Sequence, residues 1–114
     1  MKKIVVLLFA LAPFVLLAQK KDLQKTTFDV DGVCGMCKAR IEKTAFGLKG
    51  VKTASWDIPS HQFQVLFDAN KVSIEDIHTA IGNAGHDTPL ATAPDEVYEN
   101  LPMCCLYERK KKVE

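Results

Sequence analysis

Four cysteines carry the chemistry this chain can do: Cys34 and Cys37 in a Cys-Gly-Met-Cys run, and Cys104 and Cys105 side by side near the far end. Two thiols three positions apart at the start of a helix converge on one ion. The free N–H groups and partial positive charge of a helix N-terminus favour thiolate, which is both metal ligand and nucleophile. Thiolates are soft donors and select ions such as Cu(I), Hg(II) and Zn(II). A near-linear pair suits Cu(I) or Hg(II), whereas tetrahedral Zn(II) wants two further ligands. The same spacing also serves redox dithiols and plain disulfides. Met36, between the two cysteines, offers a thioether as a candidate third soft ligand. Adjacent cysteines rarely bond to each other, because the geometry distorts the intervening peptide. Cys104 and Cys105 therefore have three uses: disulfides to Cys34 and Cys37, extra ligands at the same ion, or a separate site with Met103. Four cysteines allow three complete pairings, and spacing does not choose among them.

The elements around these residues read from periodicity. Residues 26–33 alternate, with Phe28 and Val30 against Thr27, Asp29 and Asp31, which predicts a half-buried strand. Residues 34–37 form a loop. Ile41, Ala45 and Leu48 mark an amphipathic helix over 38–48, with Gly47 and Gly50 placed for a left-handed end. Residues 51–58 and 61–67 alternate on either side of Pro59-Ser60 and make a hairpin. Ser73, with Asp76 three positions on, caps a second helix marked by Ile74, Ile77 and Ile81, closed by Gly82 and Gly85. Residues 88–92 predict a last strand, at a sheet edge because Pro89 donates no hydrogen bond. The order β-α-β-β-α-β predicts an α+β, ferredoxin-like sandwich: a four-stranded antiparallel sheet with two helices on one face. The expected core is Phe28, Val30, Ile41, Ala45, Leu48, Ala54, Trp56, Phe63, Val65, Phe67, Ile74, Ile77 and Ile81. His61 and His78 are expected at the surface.

The chain has 114 residues and a formal charge of +1, from 15 Lys+Arg and 14 Asp+Glu. At roughly 150 residues per domain this is a single domain. The neutral balance excludes a basic nucleic-acid footprint. No Gly-x-Ser-x-Gly, phosphate-binding loop or dinucleotide fingerprint is present. Met1-Lys2-Lys3 followed by uncharged, apolar residues 4–18 reads as a secretory signal peptide, shorter than the about 20 residues that span a bilayer. Cleavage is expected after Ala18. Residues 19–25 are then a polar lead-in, 26–92 the domain, and 93–114 a separate C-terminal tail with a basic, solvated end at Arg109 to Lys112. The expected location is periplasmic or secreted, with the membrane touched only through the signal segment.

The run FDVDGVCGMCKARIEKTAFGLKGV, followed by FQVLFDANKVSIEDIHTAIGNAGHD, resembles the heavy-metal-associated domain family of copper chaperones, copper-ATPase N-terminal domains and periplasmic mercury-binding proteins. The resemblance covers about residues 26–92. It implies the ferredoxin-like fold and a metal held by Cys34 and Cys37. It implies Cu(I) first, with Hg(II) or Zn(II) as alternatives, and transient transfer to a metal-transporting or metal-accepting protein. No bond in a substrate changes, so no enzyme is implied. A metal-bridged dimer is open to two such surface thiolates. The family's Gly-Tyr in the second loop reads Gly85-His86 here, so His86 is a candidate ligand or a surface bystander. The family's Gly-Met before the first cysteine reads Asp31-Gly32, followed by Val33, so the methionine that packs beneath the loop is missing. Two readings without metal transfer stay open: a thiol–disulfide redox protein, and a domain stapled by disulfides. Both suit an oxidising compartment.

Overall fold

The computed structural model describes residues 21–109. The expected signal peptide and the basic residues 110–112 lie outside them. The elements run β1 (Leu23–Asp29), α1 (Gly35–Phe46), β2 (Val51–Trp56), β3 (Gln62–Asp68), α2 (Ile74–Asn83), a short α3 (Asp95–Glu99) and a 3₁₀ turn (Met103–Cys105). The sheet is antiparallel with order β1-β3-β2. Along β3 the pleat alternates as expected: Phe63, Val65 and Phe67 are buried, facing Ile41 and Ala45 of α1 and Ile77 and Ile81 of α2 in one core. Phe63 lies between Phe28 of β1 and Trp56 of β2 in the strand register. Phe28, Leu48 and Ile74 pack against this core while keeping some exposure.

Three expectations about the elements are corrected. The sheet has three strands among the described residues, not four. Residues 88–92 make one isolated bridge, Thr88 to Ala91. Thr88 Oγ1 accepts the Leu90 and Ala91 amides at 3.2 and 3.0 Å, so the amides of a would-be strand are spent inside a tight turn around Pro89. The lead-in is also shorter than expected, because β1 begins at Leu23 and pairs it with Asp68 of β3. Finally, α1 begins at Gly35, so Cys34 is its N-cap and Cys37 lies in its first turn.

Helix α2 starts as its sequence predicts. Ser73 Oγ accepts the Asp76 amide at 3.0 Å, and the Asp76 carboxylate accepts the Ser73 amide at 3.2 Å. His78, expected at the surface, is buried. Its ring stacks on Phe28 with centroids 3.8 Å apart, and its Nδ1 is hydrogen-bonded to Thr88 at 2.6 Å. The hairpin tip keeps His61 half-exposed with φ 65°, its ring stacked on Trp56.

The tail is not separate, which corrects the expected division at residue 93. Leu101, Cys105 and Tyr107 are buried and belong to the core. Tyr107 bridges the loop after α2: its hydroxyl donates to the Gly85 carbonyl at 2.8 Å and accepts the Asp87 amide at 3.0 Å. Gly85 has φ +111°, and a Cβ there would stand 2.9 Å from Leu101 Cδ2, so only glycine permits both the turn and the close approach of the tail. Arg109, expected in solvent, binds the Asp87 carboxylate through Nε at 2.9 Å and Nη2 at 2.8 Å, and lies over the Tyr98 ring.

Candidate metal centre

The sulfur site is built where β1 runs into α1. Val30 and Asp31 are anchored by backbone bonds to His61 and Asp87, which fixes the chain as it enters the loop. Cys34 is the N-cap in extended backbone, with no side-chain cap on the helix and no acidic residue in its first turn. The amides that a serine or aspartate would have taken are left facing the thiols. Beneath the loop lies the buried indole of Trp56. It packs so closely on Gly32 that a Cβ there would meet Trp56 Cη2 at 3.0 Å and Cys37 Cβ at 3.1 Å. The indole N–H donates to the carbonyls of Val30 at 3.0 Å and His61 at 3.1 Å. The Trp56 backbone is tied to α1, its amide donating to Glu42 at 2.8 Å and its carbonyl accepting from Lys38 Nζ at 2.8 Å.

Cys34 is the hub of the sulfur atoms. Its Sγ stands 3.7 Å from that of Cys37 and 3.6 Å from that of Cys105. Cys104 Sγ is 3.9 Å from Cys105 Sγ, and the sulfurs of Cys34, Cys104 and Cys105 all lie within 4.8 Å of one another. Met36 Sδ, half-exposed, receives the Cys104 thiol at 3.3 Å. All four cysteines are free thiols here, at separations far beyond a disulfide bond. The structure thus brings Cys34, Cys37, Met36, Cys104 and Cys105 together.

His86 is placed differently. It is fully buried rather than exposed at a turn. Its Nδ1 lies 2.9 Å from the Asp31 carbonyl, which only accepts, so Nδ1 carries the proton. Its Nε2 then receives Arg40 Nη1 at 3.4 Å, and the same Nη1 stands 3.3 Å from Cys105 Sγ. His86 aims Arg40 at the sulfur cluster instead of joining it. Desolvation, the largest effect, holds His86 below its ordinary pKa, outweighing its bond to Asp31. Arg40 is the residue that sequence reading missed. Its only signal was its place two turns along the helix that Cys34 begins, and its partners come from remote segments.

The four thiols do not share protons evenly. Desolvation pushes Cys34 up, but the Cys37 amide and hydrogen bonds from Cys104, Cys105 and Cys37 outweigh it and bring Cys34 down to about 7. Burial pushes Cys37 up to about 12, only partly offset by the Val33 amide. Cys104 rises to about 11, first through its hydrogen bond to Cys34 and then through desolvation. Near neutral pH one negative charge settles on Cys34 and the neighbouring thiols donate to it. That is a nucleophilic, metal-seeking sulfur at a protein surface.

The tail thiols depend on the Arg109–Asp87 clasp. Arg109→Ala is expected to free the tail and raise the alkylation rate of buried Cys105 about tenfold, the effect of losing ~1.4 kcal/mol of local docking. Mass spectrometry of iodoacetamide-treated, reduced protein reads this directly. Asp87 is raised by desolvation, but Arg109, the Ala93 amide and Tyr107 outweigh it and hold it below the usual carboxylate range. Because its folded value is depressed, Asp87 stabilises the tail fully above the unfolded value of about 3.9 and loses that contribution as pH falls through the folded value. Acid should therefore expose Cys105 in the wild type, and Asp87→Asn should expose it already at pH 7.

Comparison with known proteins agrees with this architecture. The sequence pattern of the heavy-metal-associated domain matches residues 27–87. The chain is 35% identical over 60 residues to the copper chaperone CopZ of Staphylococcus haemolyticus, covering 52% of this chain and 88% of that protein. It is 33% identical over 66 residues to copper chaperone CopZ of Bacillus subtilis, covering 57% of this chain and 96% of the relative. Among solved structures, oxidized MerP from Ralstonia metallidurans CH34 superposes with a TM-score of 0.56 at 27% identity, covering 58% of this chain and 93% of that one. The family pattern ends at residue 87, before Cys104 and Cys105. With the βαββα core, the thiol pair at the head of α1 and a match over more than half its length, the chain belongs to the heavy-metal-associated domain family.

Proposed function

We propose that this protein binds Cu(I) through Cys34 and Cys37 and passes it to another protein by ligand exchange. The observation that carries the reading is the geometry at Cys34: a thiol at a helix N-terminus, 3.7 Å from a second thiol, with the hydrogen bonds around it favouring its thiolate. Its copper-chaperone relatives support Cu(I) as the cargo. The partner is a metal-transporting or metal-accepting protein. Relatedness to the Cu(I)-loaded N-terminal domain of a potential copper-translocating P-type ATPase from Bacillus subtilis, at 27% identity and a TM-score of 0.56, supports a pump of that class. Exposed Val33, Met36, Met103 and Leu106 give the sulfur site an apolar rim on which a partner can rest. The incoming thiolate binds the ion before an original one leaves, so the soft ion never returns to water. Residues 1–18 are the export signal, and the protein works in the periplasm or outside the cell.

Anaerobic titration of reduced residues 19–114 with Cu(I), against a chromophoric chelator, tests this. A tight one-to-one endpoint is expected. Failure to compete for Cu(I), with tight binding of Hg(II) or Zn(II) in parallel titrations, would replace the cargo. Failure with all three ions, and ready closure to two disulfides, would replace the function.

A further inference from the structure

We propose that Cys105 of the C-terminal tail is a third direct ligand to the ion held by Cys34 and Cys37, so that the site is a three-thiolate centre closed by a segment outside the family domain. The proposal rests on the metal-binding reading above and adds the ligand number and the residue that supplies it.

Distances favour it. At a metal–sulfur bond of about 2.3 Å, two thiolates in linear coordination stand about 4.6 Å apart, whereas trigonal or tetrahedral partners stand about 3.8 to 4.0 Å apart. Cys34 Sγ sits 3.7 Å from Cys37 Sγ and 3.6 Å from Cys105 Sγ, on the higher-coordination side of that divide for the two pairs that meet at Cys34. The sulfurs that lie mutually within 4.8 Å are those of Cys34, Cys104 and Cys105, so Cys37 and Cys105 must draw toward each other as the ion binds. Charge favours it too. A third thiolate around a monovalent ion leaves two net negative charges, which a half-buried site bears only with compensation. Arg40 supplies it at 3.3 Å from Cys105 Sγ, and the head of α1 supplies more at Cys34. Arg40 is held there by His86, so a buried imidazole and a guanidinium are both committed to this one sulfur. Burial separates the two tail thiols. Cys105 is fully buried against the site, while Cys104 is exposed and shares its thiol between Met36 and Cys34. Three anchors deliver Cys105: Leu101 on Gly85, Tyr107 on Gly85 and Asp87, and Arg109 on Asp87.

X-ray absorption at the copper edge, on the reduced full mature chain with one equivalent of Cu(I), counts the sulfur ligands. Three are expected in the wild type and in Cys104→Ser, and two in Cys105→Ser, with Cu(I) affinity about 30-fold lower in the last. Arg40→Gln keeps Cys105 and the fold, and is expected to keep three sulfurs while losing about tenfold in affinity. Two sulfurs in the wild type, or three retained in Cys105→Ser, would overturn the proposal and leave the two-cysteine carrier standing. A drop from three to two in Cys104→Ser alone would overturn the assignment to Cys105. No Cu(I) bound by the wild type would overturn the carrier reading itself.

Discussion

Cys34→Ser is expected to lower Cu(I) affinity by about three orders of magnitude or more, at least ~4 kcal/mol of binding free energy. Cys34 is the sulfur nearest to both Cys37 and Cys105, and the thiol that gives up its proton near neutral pH. A hydroxyl in its place is a hard, neutral donor with no attraction for a soft ion. Cys37→Ser is expected to cost less, because the Cys34–Cys105 pair at 3.6 Å survives and still offers two thiolates. Competition with a chromophoric chelator ranks the two variants. Equal losses would mean that Cys105 does not back up Cys37, and an unchanged Cys34→Ser would end the assignment of the site. The fold should be indifferent to Cys34→Ser, since a serine at an N-cap is a good helix starter.

Trp56→Ala is expected to destabilise the domain by about 3–5 kcal/mol, a large part of the ~5–15 kcal/mol that holds a domain folded. The indole is fully buried in the core, so its removal leaves a cavity that the sheet, paired on β3, cannot collapse into. It also strands the Val30 carbonyl, which the indole N–H satisfies. The metal loop should suffer separately, because the ring is the floor under Gly32 and Cys37. Urea unfolding of apo protein measures the first effect, and Cu(I) affinity well below the unfolding midpoint measures the second. Trp56→Phe fills most of the volume without the N–H. It should recover more than half of the stability, and a failure to recover would place the loss in the hydrogen bonds instead of the packing.

The parts of this protein that sequence alone determined are those governed by local rules. Alternation along Phe63, Val65 and Phe67 placed β3 and its buried face, because a pleat repeats every two residues. Ser73 and Asp76 announced the start of α2, because a capping box closes within four residues. Cys34 and Cys37 were legible as a thiol pair at a helix head, since spacing and helix polarity are both local. The carrier family followed from that loop and its surrounding elements.

Tertiary structure decided the rest. Residues 88–92 alternate weakly enough to pass for a strand, but a strand is made by its partner, and Thr88 satisfied the amides first. His78 and His86 carry side chains that are polar by type, yet Phe28 and the loop entering Cys34 bury them through partners 50 and 55 residues away in sequence. The tail read as a solvated end because its charge run says nothing about Asp87, which waits 22 residues upstream to clasp Arg109. Cys105 reaches Cys34 across 71 residues. Periodicity reports which face a residue takes on its own element, whereas closure of such long loops is set by the summed packing of Leu101, Tyr107 and Arg109. Only the folded chain brings the two pairs of cysteines into one site.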